Sequence, residues 1–197
     1  MQSIIIRKIW ILFNRFKFWN KGITFGANLR IANSIYIKLG TNTKVVIGNN
    51  FAFSSGGYYN PLSRNIHGAI VLEKNATLTI GDSVGISSAC LWIYESLTVG
   101  SRTKIGGDCI IIDSDAHSLN YMERRNGPTD RPNAKSKGII IGADVLVGTR
   151  CVILKGVTIG DRSIIGAGSV VTQNIPSDCI AAGNPAKVIK YLNNRNN

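Results

Sequence analysis

Aliphatic residues recur at every sixth position between residues 141 and 171. A six-residue period fits neither an α-helix, which repeats every 3.6 residues, nor a strand that alternates every two. It is typical of short strands joined by tight turns, stacked as the coils of a parallel β-helix. The series consists of Ile141, Val147, Ile153, Ile159, Ile165 and Val171. Small or slim residues stand four positions after these aliphatics, namely Val145, Cys151, Val157, Ser163 and Ser169.

The same period recurs upstream with interruptions, and it predicts coils over about 23–53, 70–112 and 139–175. Residues 54–69 and 113–138 lose the period and contain Gly, Pro, Asn and charged residues. A stacked repeat keeps its core continuous, so nonrepeating stretches must protrude from it. Protruding loops on a rigid scaffold are preferred places for chemistry.

The first 22 residues predict an amphipathic helix ahead of a single β-helix domain at 23–197. The basic residues are too frequent for a transmembrane span. No cleavage site of small residues follows, so we do not expect a signal peptide. Two interpretations remain: a helix that caps the β-helix, which we favour, or an interfacial helix on an anionic membrane. The apolar face would contain Ile5, Ile9, Leu12, Phe13, Phe16 and Trp19, and the other side Arg7, Lys8, Asn14, Arg15 and Lys17.

The tail ends the repeat and carries a proline that is compatible with a helix start. Pro185 suits the first turn of a helix, because a backbone N–H at that position would have no partner within the helix and its absence costs nothing. We therefore expect a short C-terminal helix at 186–193.

Composition adds a charge and a redox expectation. Only 17% of the 197 residues are charged, yet the net charge is +12. This charge is compatible with a role in solubility alone or with an anionic partner, such as a phosphorylated cofactor, nucleic acid or a membrane surface. The four cysteines lack metal-ligand spacing. Cys90, Cys109 and Cys151 fall in the small inward position of their coils, so we expect reduced core thiols in a cytosolic protein.

The break after Ile111 places polar residues where the period calls for an inward aliphatic. Position 117 is a histidine, preceded by Asp113 and Asp115. In an extended segment these three side chains would project to one side. A histidine beside a carboxylate can act as a general base near neutral pH. The alternative is a surface turn with incidental polar residues.

Several motifs together resemble the hexapeptide-repeat acyltransferases, in particular the sugar and polysaccharide O-acetyltransferase branch akin to maltose and galactoside acetyltransferases. The resemblance covers the chain from about residue 70 onward. The motifs are D-S-D-A-H at 113–117, I-I-I-G-A-D-V-L-V-G at 139–148, G-V-T-I-G-D at 156–161, I-I-G-A-G-S-V-V-T at 164–172 and A-G-N-P-A-K-V-I-K at 182–190.

This resemblance implies an all-β, left-handed parallel β-helix that forms a homotrimer with active sites between subunits. It implies acetyl-CoA as co-substrate and His117 as the general base that deprotonates an acceptor hydroxyl. Asp113 and Asp115 would divide orientation of His117 and acceptor contact between them, and which does which stays open. The implied cofactor-binding residues are Leu146, Gly148, Thr149, Gly166, Ala167, Gly168, Thr172, Lys187 and Lys190.

One implied cofactor residue departs from the family pattern, because Leu146 stands where the family often has tryptophan. The acceptor would be a sugar or a surface-polysaccharide precursor, in the cytoplasm or at the inner membrane. The loop at 54–69 is a second candidate acceptor region through Tyr58, Tyr59, Arg64 and His67, although a structural or surface role for His67 is favoured.

Three other functions have to be compared with O-acetylation. An N-acetyltransferase acting on an amino sugar or a drug would share the fold. A zinc carbonic anhydrase of this fold needs three histidine ligands, and the chain has only two histidines. A nonenzymatic basic scaffold for nucleic acid would need interleaved aromatic and basic residues on a strand face, which the sequence lacks, so no nucleic acid is expected.

Overall fold

Short parallel strands wind into a three-sided β-helix. The computed structural model describes residues 4–56, 60–63 and 66–192, with side-chain positions in the first helix from Lys8 onward. From β1 to β18, successive strands pass through three sheets in turn, so each sheet contains every third strand, and β19 and β20 are added to the second sheet. Sheet A contains β1 (Thr24–Phe25), β4 (Lys44–Ile47), β7 (Thr77–Ile80), β10 (Ser96–Val99), β13 (Ile139–Ile141) and β16 (Thr158–Ile159).

The other two sheets complete the coil. Sheet B contains β2 (Arg30–Ala32), β5 (Ala52–Ser54), β8 (Gly85–Ser87), β11 (Lys104–Ile105), β14 (Leu146–Val147), β17 (Ile164–Ile165), β19 (Cys179–Gly183) and β20 (Ala186–Tyr191). Sheet C contains β3 (Tyr36–Leu39), β6 (Ala69–Leu72), β9 (Cys90–Ile93), β12 (Ile110–Ile112), β15 (Val152–Leu154) and β18 (Val170–Val171). The helices are α1 (Ile4–Asn20), α2 (Tyr121–Arg124) and α3 (Gly127–Asp130), with 3-10 turns at Pro61–Ser63 and Arg131–Asn133.

The six-residue period specifies the interior of the coil. All six aliphatics of the 141–171 series are fully buried, and so are the upstream hexad residues from Ile47 to Ile111. Turns between strands use left-handed backbone, for example at Asp144 (φ 57°) and Arg162 (φ 59°). The predicted coils are confirmed, because each aliphatic in phase points into one continuous core.

Helix α1 lies on the open edge of the first coil. The Asn14 side chain donates to the Ile31 and Asn33 carbonyls at 3.2 and 2.9 Å, and Lys17 Nζ donates to the Ile35 carbonyl at 2.6 Å. Phe18 is fully buried in the core. The helix therefore satisfies carbonyl groups that no preceding coil pairs.

The face of α1 that meets the coil is not the apolar face expected from the sequence. The described members of that face, from Ile9 to Trp19, are exposed. The reason is that an edge strand presents carbonyl groups, so the helix side with Asn14 and Lys17 fits it better than an aliphatic stripe does. The side chains of Ile5 and Arg7 lie outside the described residues.

The expected C-terminal helix is wrong, because residues 186–191 form strand β20. This strand pairs antiparallel with β19, joining Ala182 to Lys187 and Ile180 to Lys190. Without it, β19 would expose unpaired backbone groups at the end of the coil. The β-branched and aromatic residues Val188, Ile189 and Tyr191 also favour a strand.

All four cysteines are free thiols, and three of them are fully buried. The exception is Cys90, which the sequence pattern placed inward. It is half-buried at the start of β9, whereas its neighbour Ala89 is fully buried. The seven-residue step from Ile86 to Ile93 moves Cys90 out of the inward position.

Candidate active site

The insertion at 113–138 leaves the scaffold where sheet C turns into sheet A. We call this turn region the CA corner; it also includes residues 155–157 and 172–174. The two ends of the insertion pair at its base, where Asp115 N donates to the Lys135 carbonyl at 3.0 Å and Lys137 N donates to the Asp113 carbonyl at 2.9 Å. The insertion is therefore a loop whose two ends are held together, and we call this paired base the root of the insertion.

Asp113 holds this root to the neighbouring coil. Its carboxylate accepts hydrogen bonds from three consecutive backbone N–H groups, at 2.6 Å from Tyr94, 2.8 Å from Glu95 and 2.7 Å from Ser96. The residue is fully buried. Burial raises the pKa of the Asp113 carboxyl, and the three N–H donors act in the opposite direction. Asp113 thus stabilises the loop base.

Asp115 forms an ion pair with Lys155, which follows β15 in the next coil at the same corner. Both side chains are partly buried. This contact ties the insertion to the coil that comes after it in the stack.

The shared face expected for Asp113, Asp115 and His117 does not form. Ala116 has a left-handed backbone (φ 59°), which breaks the extended conformation that the expectation required. The histidine is therefore turned away from both carboxylates, and each of these has another partner.

The carboxylate that contacts His117 is Asp130, at the end of α3. His117 Nδ1 lies 2.6 Å from Asp130 Oδ2, and Ser118 N donates to the other carboxylate oxygen at 2.9 Å. Asp130 is 8% exposed. The hydrogen bond with His117, followed by that with Ser118, lowers the pKa of the Asp130 carboxyl, so it is ionised at neutral pH and accepts the proton on Nδ1.

The His117 side chain is open to solvent. Its side chain is 57% exposed. Within residues 4–56, 60–63 and 66–192 no hydrogen bond reaches Nε2. In a neutral imidazole that donates its Nδ1 proton to Asp130, Nε2 has a free lone pair, which is the arrangement that a general base requires.

Polar contacts inside the insertion hold Asp130 at this position. Ser118 Oγ donates to Glu123 Oε2 at 2.5 Å, and Arg124 donates to the Ser118 carbonyl at 2.6 Å. Asp130 N donates to the Asn126 carbonyl at 2.9 Å. Sequence reasoning missed Asp130 because it lies thirteen residues after His117 in a stretch without a period, and the return of the loop brings the two together.

Five of the expected cofactor residues come together at a different corner, where sheet B turns into sheet C. We call it the BC corner. A Cβ on Gly148 would lie 2.6 Å from Ala167 N, so glycine lets consecutive coils stack here. Gly168 (φ 73°) has no atom within 4 Å of where a Cβ would lie. The five residues are Gly148, Thr149, Gly166, Ala167 and Gly168.

Leu146, Lys187 and Lys190 lie on sheet B beside this corner. Leu146 is 47% exposed on β14, two residues before Gly148. Lys187 pairs with Ala182, the residue that a Cβ on Gly166 would contact. Lys190 pairs with Ile180 and is exposed. The two lysines thus lie on β20, the last strand of sheet B, next to the BC corner.

Thr172 does not join the other expected cofactor residues. It follows β18 and therefore lies at the CA corner, with the insertion that carries His117. In one chain, sheet C separates the histidine from the glycine-rich turns.

The loop at 54–69 contributes one described candidate. His67 is exposed, and its Nδ1 lies 3.4 Å from Ser55 Oγ. Tyr58, Tyr59 and Arg64 lie outside the described residues. Across the described ranges, no three His, Cys, Asp or Glu side chains are placed to hold a metal ion.

This chain has the features typical of hexapeptide β-helix transferases. They are the β-helix, the glycine-rich BC corner and the insertion that carries His117. Residues 138–173 match the family described as bacterial transferase hexapeptide (six repeats). The chain is 33% identical, over 74% of its length and 71% of the relative's, to the putative lipopolysaccharide biosynthesis O-acetyl transferase WbbJ of Escherichia coli strain K12. The chain belongs to this hexapeptide-repeat transferase family.

Two further similarities concern another relative and a solved structure. The chain is 32% identical to the galactoside O-acetyltransferase of Escherichia coli strain K12 over 87% of its own length, and it spans 65% of that relative. The solved structure of a single-residue mutant of AntD, an N-acyltransferase from Bacillus cereus, in complex with dTDP-4-amino-4,6-dideoxyglucose and coenzyme A, has a TM-score of 0.66. That match has 18% identity, covers 90% of this chain and 89% of AntD, and shows the common fold.

Proposed function

We propose that the protein transfers an acetyl group from acetyl-CoA to a hydroxyl group of a sugar or a surface-polysaccharide precursor. The Escherichia coli relatives are O-acetyltransferases by name, one of galactosides and one of lipopolysaccharide biosynthesis. The observation that carries the proposal is the His117–Asp130 pair, with Nδ1 2.6 Å from the carboxylate and the His117 side chain 57% exposed.

In the proposed reaction, Nε2 of His117 takes the proton of the acceptor hydroxyl as the oxygen attacks the thioester carbonyl. The carbon–sulfur bond then breaks, and the imidazolium returns its proton to the leaving thiolate of coenzyme A. Asp130 keeps the imidazole in the required tautomer and stabilises its positive charge during the reaction. Asp113 and Asp115, whose carboxylates hold the insertion to the coils, act through the position of the loop.

The BC corner is the proposed binding surface for acetyl-CoA. Gly168 has open space where a Cβ would lie, which leaves the backbone there accessible to a slender pantetheine arm. Lys187 and Lys190 are exposed one strand further on, where cations would suit the phosphates of coenzyme A. Leu146 supplies an exposed apolar side chain beside the BC corner. Thr172 would contribute from the CA corner.

A homotrimer would bring these separated parts together, with the left-handed coil that the resemblance implies. His117 lies at one edge of sheet C and the cofactor turns at the other. The outward side of sheet C is almost wholly apolar, as an interface between copies would require. Its outward residues are Tyr36, Ala69, Cys90, Ile110, Val152 and Val170 in one row, and Lys38, Val71, Trp92, Ile112 and Leu154 in the other.

Acceptor chemistry tests the proposal directly. Purified protein is incubated with acetyl-CoA and pairs of sugars that differ only in carrying a hydroxyl or an amine at one carbon, and free thiol release is measured. The proposal expects release with hydroxyl sugars and acetyl esters in the product. Transfer to the amines alone would contradict it and assign N-acetylation instead.

A further inference from the structure

Helix α1 presents an apolar surface that the protein's own core does not use. Leu12 is 67% exposed and Trp19 is 69% exposed. We call this surface the outer face of α1. It consists of Ile9, Leu12, Phe13, Phe16 and Trp19, all of which are exposed.

Contacts on the opposite side of α1 fix the orientation of this face. The opposite side of α1 contacts the first coil through Phe18, the Asn14 amide and the Lys17 ammonium group. Rotating the helix to bury its apolar residues would break these three hydrogen bonds and expose Phe18. The outer face is therefore held outward.

The surroundings of the outer face are cationic. Lys8 and Arg15 are exposed along one edge of it, and Lys21 is exposed just past the end of the helix. The α1 sequence contains no acidic residue. The whole chain has a net charge of +12, so a negatively charged partner would be attracted over a wide area.

The side-chain types on this face suit a bilayer interface. Phe13, Phe16 and Trp19 are aromatic, and tryptophan prefers the headgroup region of a membrane. Lysine and arginine at the edge of an apolar face can reach anionic headgroups. Among the described residues, no helix has the length and apolarity needed to cross a bilayer.

We propose that the outer face of α1 binds the surface of an anionic phospholipid bilayer, with the helix lying in the interface plane. A second copy of the chain is a weaker fit, because pairing two outer faces would bring the cationic edges together. This inference concerns where the protein sits, and it does not depend on the proposed acetyl transfer.

Vesicle flotation of the full-length protein tests this inference. The vesicles contain phosphatidylcholine with about 30 mol% phosphatidylglycerol, or phosphatidylcholine alone. The test variant is the double substitution L12E/F16E, which places charge on the outer face at exposed positions that glutamate can occupy in a helix. The matched control is L62E/I66E, which alters two exposed apolar residues elsewhere by the same charge.

The wild-type protein and the control are expected to float with the anionic vesicles. L12E/F16E is expected to lose at least about tenfold in partitioning, with an unchanged thermal unfolding curve. The substitution K8Q/R15Q is expected to reduce the preference for anionic over neutral vesicles. Two results would overturn the inference: wild-type protein that stays in the aqueous phase, or L12E/F16E that floats as the control does. Loss of self-association by L12E/F16E, with no wild-type flotation, would assign the face to a second copy.

Discussion

The coils at 139–171 and the insertion at 113–138 are neighbours on one scaffold but are held by different interactions. The coils are held by buried aliphatic side chains, each in the same place within its turn. The insertion is held by carboxylates: Asp113 on three N–H groups, Asp115 on Lys155 and Asp130 on His117.

This difference separates stability from chemistry. Burial of apolar surface is non-directional, so it can stabilise a coil but cannot orient a proton acceptor. Hydrogen bonds to carboxylates are directional and set the orientation of the group they contact. Substitutions in the coils should therefore reduce the free energy of unfolding, and substitutions around His117 should reduce turnover.

The largest expected effect is on a coil residue. Ile159→Ala removes a fully buried side chain and should lower the free energy of unfolding by about 2–5 kcal/mol. Thr158→Ala, at the exposed neighbouring position on β16, should change it by no more than about 0.5 kcal/mol. Urea denaturation at a fixed protein concentration measures both. Equal effects of the two substitutions would be inconsistent with burial as the source of coil stability.

Asp113→Asn should be the most destabilising carboxylate substitution in the insertion. An amide would turn an NH₂ group toward backbone donors that now point at a carboxylate, at a cost of about 2 kcal/mol. Asp115→Asn breaks one partly exposed ion pair and should cost less than about 1 kcal/mol. Unfolding experiments and limited proteolysis of the loop check this order, and the reverse order would refute the role of Asp113 at the root.

Asp130→Asn should affect turnover more than stability. The amide can no longer hold the Nδ1 proton as a carboxylate does, so kcat should fall roughly 10–100-fold. Asp144→Asn is the matched control, because Asp144 pairs with Arg102, at a corner of the coil away from His117. Steady-state kinetics of the two variants measure the difference. A kcat of Asp130→Asn equal to that of the control would remove Asp130 as the positioning residue.

The smallest effect is a dependence of stability on pH. The contact with His117 lowers the pKa of Asp130, so the stabilisation it gives is complete above the unfolded-state pKa of about 3.9. It is lost as the pH falls through the lower folded-state pKa. The difference in unfolding free energy between wild type and Asp130→Asn should therefore shrink in this acidic window. A difference that grew there would contradict the direction of the shift.

The sequence was most informative where the structure repeats. Ile141 to Val171 predicted the interior of the coil because one inward position recurs in every turn, and the failure of that period singled out His117. Asp130 carried no comparable signal, because its position depends on the path of a loop. The C-terminal strand was missed because Pro185 was interpreted from helix rules, whereas the open edge of β19 decides the conformation.

The first helix shows the same limit in another form. Its apolar face was evident in the sequence, but the face that contacts the coil is set by carbonyl groups of Ile31, Asn33 and Ile35 at the edge of the first turn. A pattern of apolar residues shows that a face exists. It does not show whether that face meets the protein or a partner.

The turnover of His117→Ala tests the central claim most directly. The side chain is 57% exposed, so its removal should leave thermal unfolding and acetyl-CoA binding close to those of the wild type. We predict a kcat at least about 100-fold lower across the pH range of activity. A kcat within a few-fold of wild type, in a variant that is folded and binds acetyl-CoA, would show that His117 is not the base.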